Sequence, residues 1–473
     1  MVRALVAAVV WVTGCLQTEG AGRRAWLRTT LVDDNRDVLD REPELTAGKF
    51  RVMAGRPYDF MRGSLGVFLR DAARPDARPT AHGSAAASRV LVLGDPHPEN
   101  LGSFRRGDGR FVLEFNDFDG ATFGPYHLDV RRLAVGFWLA AARAGLDVEA
   151  REAIARAAAS GYVAEIDRLA RGLVPLRVRP RAGFGRIVDD LLDRAEQEGD
   201  ARALLDTYTR VASGRHVLRF GEIEPSLTSG VIEDTVQRLD DDEGRLLHAA
   251  LASYPQTLIG SPPPPAFFRL KDAGRRLGAG VASYPRLRFY ALIEGPSPSL
   301  DDDVLLEIKE VASPAHYPGY DLSASRPVGD DGERAVRAQR ALHEVADADP
   351  LLGWARVAPL AFRVRQRTRY QRGISVDRIA EKIAAGTWTV EDLAQLALVA
   401  GRLLARGHAL APTATGERGL GALRAALGLS PAGFVEETLG VARDCGARVL
   451  DDHATFVALL DEEGPWLGYT ASR

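Results

Sequence analysis

Apolar and polar positions follow two different rhythms along this chain. Between Phe50 and Asp71 apolar residues return at helical spacing (Phe60, Leu65, Val67, Phe68), which predicts a helix. Val90 to Leu93 is a short apolar run, Gly94 to Asn100 is a polar loop, and alternation resumes on either side of Gly107-Asp108-Gly109 before a second polar loop at Asn116 to Asp119. Two apolar runs around an Asp-Gly turn predict a hairpin. Helices are expected over His127 to Gly145, with Leu133, Phe137, Trp138 and Ala141 on one side, and over residues 148–171, 185–212 and 230–253. The first half thus reads as one hairpin set among helices.

Ser261 followed by four prolines to Pro265 marks the clearest boundary, since consecutive prolines extend neither a helix nor a central strand. Beyond it the rhythm turns extended. Arg275 to Leu277, Arg288 to Ile293 and Val304 to Val311 read as a three-strand meander, with a helix expected over Glu333 to Ala346. Residues 357–371 give two more short strands, in which Phe362 and Val364 face a core while Arg363, Arg365, Arg367 and Arg369 face water or anions, water being preferred. From Val376 onward the pattern is helical, strongest over Leu393 to Ala411. Residues 20–50 show little periodicity and read as a tether or surface arm. The resulting division is an export signal at 1–15, a tether at 16–45, a helical lobe at 46–260, a small sheet lobe at 261–372, and a helical C-terminal segment at 373–473 that packs on the helical lobe.

At 473 residues the chain can bury a large core in two lobes or more. A net charge of -3 and the absence of a long basic run argue against nucleic acid as a partner. Of 61 basic residues only Lys49, Lys271, Lys309 and Lys382 are lysines, which draws attention to each. Cys15 and Cys445 exclude a disulfide framework. Residues 1–15 have one basic residue, a short apolar run and a Val12-Thr13-Gly14-Cys15 ending that resembles a bacterial lipoprotein processing site. Export with a lipid on Cys15 is the expectation; a spurious signal leaves the protein cytoplasmic.

The chemistry gathers at the hairpin. It returns the chain to its start, so Asp95, Asn100, Asp117 and Asp119 should converge at one end, and oxygen ligands of this type suit magnesium. Asp-x-x-x-x-Asn, a hairpin and then Asp-Phe-Asp is the ordering of kinase-type phosphoryl transfer, in which one Asp orients an acceptor hydroxyl while the Asn and a later Asp hold magnesium. Asp95, Asn100, Asp117 and Asp119 take those roles here. A metallophosphoesterase also uses Gly-Asp-x-His pieces but needs further His and Asp ligands on other loops that the sequence lacks. Gly278, Gly280 and Ser283, between two strands, form either a plain turn or a loop whose amides approach the phosphates of ATP. Lys309 in the third strand favours the latter, with Glu333 chosen as the residue that holds it. Arg62 is either a phosphate contact or an ion pair, and Asp129 either caps its helix or orders a nearby loop.

The segments FMRGS, GDPHPENLG, EFNDFDGATFGPYHLDVRRLA, RRLGAGVAS, LLEIKEV and GERAVRAQR resemble the bacterial family called domain of unknown function 2252, over most of residues 45–411. That family is similar to the aminoglycoside-phosphotransferase branch of the protein-kinase-like fold. The resemblance implies an α+β two-lobe architecture, with Asp95 as the catalytic Asp, Asn100 and Asp117 as metal ligands and Lys309 as the nucleotide lysine. Leu93 stands where phosphotransferases carry the His of an HGD triplet, and Asp119 where kinases carry the Gly of DFG. The glycine loop and lysine follow the catalytic loop instead of preceding it, which a circular permutation explains. The expected activity is ATP- and magnesium-dependent phosphoryl transfer to an unidentified acceptor; a catalytically silent binding scaffold is the alternative.

Overall fold

Prolines start two of the N-terminal helices. In a computed structural model, which describes residues 22–197, 201–221, 235–314, 317–320, 330–344, 349–428 and 430–470, helix α1 (residues 22–34) runs into α2 (Arg36–Arg41). Pro43 and Pro57 then occupy the first turns of α3 (Pro43–Gly55) and α4 (Pro57–Gly63), where a missing N–H costs nothing. α5 (Leu65–Ala72) follows. The expected tether is therefore corrected over residues 22–45: Leu27, Leu31 and Leu39 are buried with Phe50, Met53, Phe456 and Leu459. The export signal and Cys15 lie outside the described residues, and no described helix is long and apolar enough to cross a membrane.

β1 (Val90–Val92) pairs antiparallel with β4 (Thr122–Gly124), and between them β2 (Leu101–Arg105) and β3 (Phe111–Phe115) form the expected hairpin. Helices α6 (Tyr126–Arg143), α7 (Val148–Ala170) and α8 (Arg186–Gln197) come next. The region expected to be helical up to residue 212 instead ends in α9 (Ala201–Tyr208) and a second hairpin, β5 (Thr209–Ala212) with β6 (Arg215–Leu218). β7 (Thr235–Gln237), α10 (Asp241–Ser253), β8 (Leu270–Leu277), β9 (Arg288–Ile293), β10 (Val304–Glu310), α11 (Asp331–Leu342), β11 (Gly353–Val357) and β12 (Leu360–Gln366) follow. The last helices are α12 (Val376–Ala384), α13 (Val390–Leu410), α14 (Leu420–Leu427) and α15 (Pro431–Glu463).

The fold is α+β. Six strands make one antiparallel sheet in the order β11-β12-β10-β9-β8-β7. The anticipated meander is its centre, but β7 enters from ahead of the proline run, so the sheet lobe reaches back past residue 261. One face packs Phe289, Ala291, Leu306, Ile308 and Phe362 on Leu247 and Ala250 of α10 and on Tyr254 just after it. The other packs Tyr290, Leu292 and Leu305 on Leu204 and Leu205 of α9 and Leu218 of β6. With both faces covered, every residue of β10 is buried, including Glu307 and Lys309.

The helical lobe is centred on α7 and α13. Thr389 and Asp392 close a capping box that starts α13. A Cβ on Gly161 would strike the Leu398 carbonyl, and one on Gly401 would strike the Ala158 carbonyl, so the two backbones touch where they cross. Gly401→Ala is expected to force these helices apart and lower stability by about 2 to 3 kcal/mol, the range for overpacking a tight core. Chemical denaturation measures it, and unchanged stability would show that the crossing tolerates separation.

Candidate active site

Glycine brings the two polar loops together. Gly94 sits at φ 91°, and a Cβ there would collide with the Gly120 carbonyl, so the loop after β1 and the loop after β3 approach backbone to backbone. Asn116 N donates to Asn100 O at 2.9 Å, closing the ends of the hairpin. Asp95, Asn100, Asp117 and Asp119 thereby line one cavity of about 150 Å³, with Arg62, Gly280 and Ser283 on other parts of its wall. Gly278 is not among the lining residues.

Each acidic side chain is held differently. Arg132, buried on α6, donates from Nε to Asp95 Oδ1 at 2.7 Å and from Nη2 to the Met61 carbonyl at 2.7 Å. Burial raises the Asp95 carboxyl above its ordinary value, with Arg132 opposing. Asn100 Nδ2 donates to the Asp95 carbonyl at 2.7 Å, which leaves Oδ1 as the group it can offer a cation. Burial alone would raise Asp117, but Lys309 and Arg363 outweigh it and hold the carboxyl well below the usual carboxylate range.

Lys309 reaches across from the sheet. Its Nζ lies 2.6 Å from Asp119 Oδ2 and 3.3 Å from Asp117 Oδ2, while the side chain is almost fully buried. The register puts Arg288 and Arg363 directly opposite Lys309 on the strands to either side. Like charges facing one another across a sheet destabilise it unless anions intervene. Asp117 and Asp119 serve Lys309, and Glu307 accepts from Arg365 at 3.0 Å with Arg276 and Arg288 at 3.3 and 3.5 Å. The expected solvent-facing row is thus corrected: Arg363 is 2% exposed and Arg365 is paired within this network. Arg288 Nη2 also donates to Ser283 Oγ at 3.1 Å, tying the glycine-rich connector to the sheet.

Glu333 does not hold Lys309. It pairs with Arg337 one turn along α11, at 2.6 Å. Its neighbour Arg334 is the residue of that helix which serves the cavity, since its guanidinium donates to the carbonyls of Asp119 and Ala121 and to Ala312 O. A buried arginine aimed at backbone carbonyls leaves no periodic trace in sequence.

The position of Leu93 is explained by Asp129. No side chain caps α6. Asp129 instead accepts from Leu93 N at 2.6 Å and Gly94 N at 3.1 Å, and His408 Nε2 contacts it at 3.1 Å with Tyr162 on the other ring nitrogen at 3.0 Å. The loop is anchored by a carboxylate from below, so no histidine is needed at its start. Arg62 forms the expected ion pair, with Glu99 at 2.7 Å, and also lines the cavity. His97 is buried, which drives its imidazole well below its ordinary value and keeps it neutral.

The donor set fits a magnesium ion that brings its own ligands. Among the described residues no group of three or more His, Cys, Asp or Glu is arranged to hold a metal. One or two carboxylates plus a carboxamide are what magnesium uses when phosphate and water complete its shell. Asp119 Oδ1 is buried without a hydrogen-bond partner, an acceptor that a cation would satisfy.

The family model described as an uncharacterized protein conserved in bacteria (DUF2252) matches residues 41–459. No curated protein and no solved structure matches the chain.

Proposed function

We propose that this chain, which belongs to the bacterial DUF2252 family, is an ATP- and magnesium-dependent phosphotransferase acting on a hydroxyl acceptor, on a circularly permuted kinase-like two-lobe fold. The observation that carries the reading is the meeting of Lys309 with Asp117 and Asp119, drawn from segments 192 residues apart in the case of Asp117. A lone amine buried against two carboxylates, beneath a connector rich in glycine, is the charge arrangement that phosphoryl transfer uses.

Magnesium, when bound, neutralises charge on the phosphates; Asn100 Oδ1, Asp117 and Asp119 are the groups that would hold it. Lys309 supplies positive charge on the sheet side, with Arg288 and Arg363 flanking it. Asp95 has one oxygen fixed by Arg132 and the other available to accept the proton of an acceptor hydroxyl. Its raised carboxyl makes it a better base than an exposed aspartate.

The test is thermal melting with ATP, with and without magnesium, followed by ATP turnover. Magnesium-dependent stabilisation is expected in the wild type and in Asp95→Asn, with turnover reduced about a hundredfold or more in the variant, the usual scale for losing a general base. Binding without turnover in the wild type would assign the chain as a silent scaffold. No magnesium-dependent binding would overturn the nucleotide reading altogether.

A further inference from the structure

A lysine other than Lys309 lines the cavity itself, and its direct partner is a neutral carboxamide. Lys49, on α3, is 6% exposed and lines the cavity together with Asn35. Its Nζ donates to Asn35 Oδ1 at 2.6 Å. Asn35 Nδ2 is committed to the Leu31 carbonyl at 2.7 Å, so the carboxamide is fixed with its oxygen toward the lysine. An ammonium has three donors, and among the described residues Lys49 forms no ion pair.

The neighbouring carboxylates are engaged elsewhere. Asp34 pairs with Arg70 at 2.5 Å, and Asp37 accepts from Arg286 at 3.0 Å. Burial and the adjacent Arg286 push Lys49 down to about 8, with Asp34 and Asp37 opposing. Lys309 shows the contrast: equally buried, it has two carboxylates of its own. A buried cation without a counter-charge is costly unless a ligand supplies one.

We propose that Lys49 and Asn35 form an anion subsite in this cavity, so that a molecule bound there carries a carboxylate or phosphate group against the Lys49 ammonium. The anion subsite stands on the geometry alone, and only the hydroxyl at Asp95 rests on the phosphotransferase reading. Lys49 reads the charge, Asn35 positions the ammonium, and Asp95 in the same cavity meets the hydroxyl.

The experiment is calorimetric titration of the full chain, without magnesium, with inorganic phosphate in one arm and acetate in the other, on wild type, Lys49→Met and, as a control on α12 outside the cavity lining, Lys382→Met. At least one anion is expected to bind wild type and Lys382→Met alike. Lys49→Met should weaken that binding about tenfold or more, the scale of one charge-assisted hydrogen bond. Lys49→Gln, which retains a polar head, guards against misfolding, and circular dichroism checks both variants.

The anion binds the protonated ammonium, so wild-type affinity should fall as pH rises through about 8. The other groups facing Lys49 are Asp34, Asp37, Arg70, Arg286 and Tyr317; Arg286 holds Asp37 below its ordinary carboxylate value against burial, Asp37 and Glu310 hold the Arg286 guanidinium above its own, and burial pushes the Tyr317 phenol up. Phosphate binding alone identifies a phosphate-bearing ligand for this subsite, and acetate binding alone a carboxylate-bearing one. If neither anion binds wild type, or if Lys49→Met binds as wild type does, the subsite is overturned. Because no nucleotide or magnesium is present, that outcome is separable from failure of the phosphotransferase reading.

Discussion

Asp117→Ala is expected to abolish the magnesium-dependent part of ATP binding and to lower turnover about a thousandfold, the upper range for removing one preorganised electrostatic contact. Asp117 is the carboxylate that Lys309 and Arg363 keep ionised, and its removal leaves Asn100 and Asp119 as a depleted ligand pair. The fold should survive, because Lys309 retains Asp119 at 2.6 Å and Arg363 still donates to the Asn116 carbonyl at 3.4 Å. Melting curves with and without magnesium separate the two effects. A variant that is stabilised by magnesium and ATP as fully as the wild type would remove the acidic cluster from the phosphate site.

Asp129→Ala should have the largest effect on stability. Asp129 is 1% exposed and accepts from two backbone amides and from His408. Removing it leaves those donors buried and unmet, at a cost of about 3 to 5 kcal/mol, as for one partner lost from a buried charged pair. The loop bearing Asp95 begins at those two amides, so activity should fall further than the loss of folded protein explains. Urea denaturation gives the first quantity, and turnover per folded molecule gives the second. Asp129→Asn, which retains one acceptor oxygen, should lie between the two. Equal stability of Asp129→Ala and wild type would show that water replaces the carboxylate.

The convergence of Asp95, Asn100, Asp117 and Asp119 was legible because it follows from local rules: an Asp-Gly turn fixes a hairpin, and the polar loops at its ends must meet. Five strands of the sheet were legible from their own extended patterns, whereas β7 lies inside a stretch expected to be helical over residues 230–253. What failed was burial that depends on a partner distant in sequence. Arg363 and Arg365 alternate as a solvated face should, yet the helical lobe and Glu307 cover them. Glu333 and Arg334 are adjacent on one helix, and only the position of the Asp119 loop decides which of them faces the site. Asp129 lies in a first helical turn, where a carboxylate reads as a cap; its partners come from the loop before β2 and from α13. Residues 20–50 hid their helices because charged positions are dense among Leu27, Leu31 and Leu39, and this concealed Asn35 and the setting of Lys49. The one available signal was the scarcity of lysine in a chain that otherwise uses arginine.

The N-terminal helices have a further consequence. Arg23 is bound to Asp452 and Arg28 to Glu463, and Leu27 and Leu31 share a core with Phe456 and Leu459. Asn35 therefore stands on a segment whose counterpart follows far along the chain, 429 residues on in the case of Arg23 and Asp452. The Lys49 wall waits for residues 431–463, so a product truncated before them would lack an ordered place for whatever the aspartates act upon.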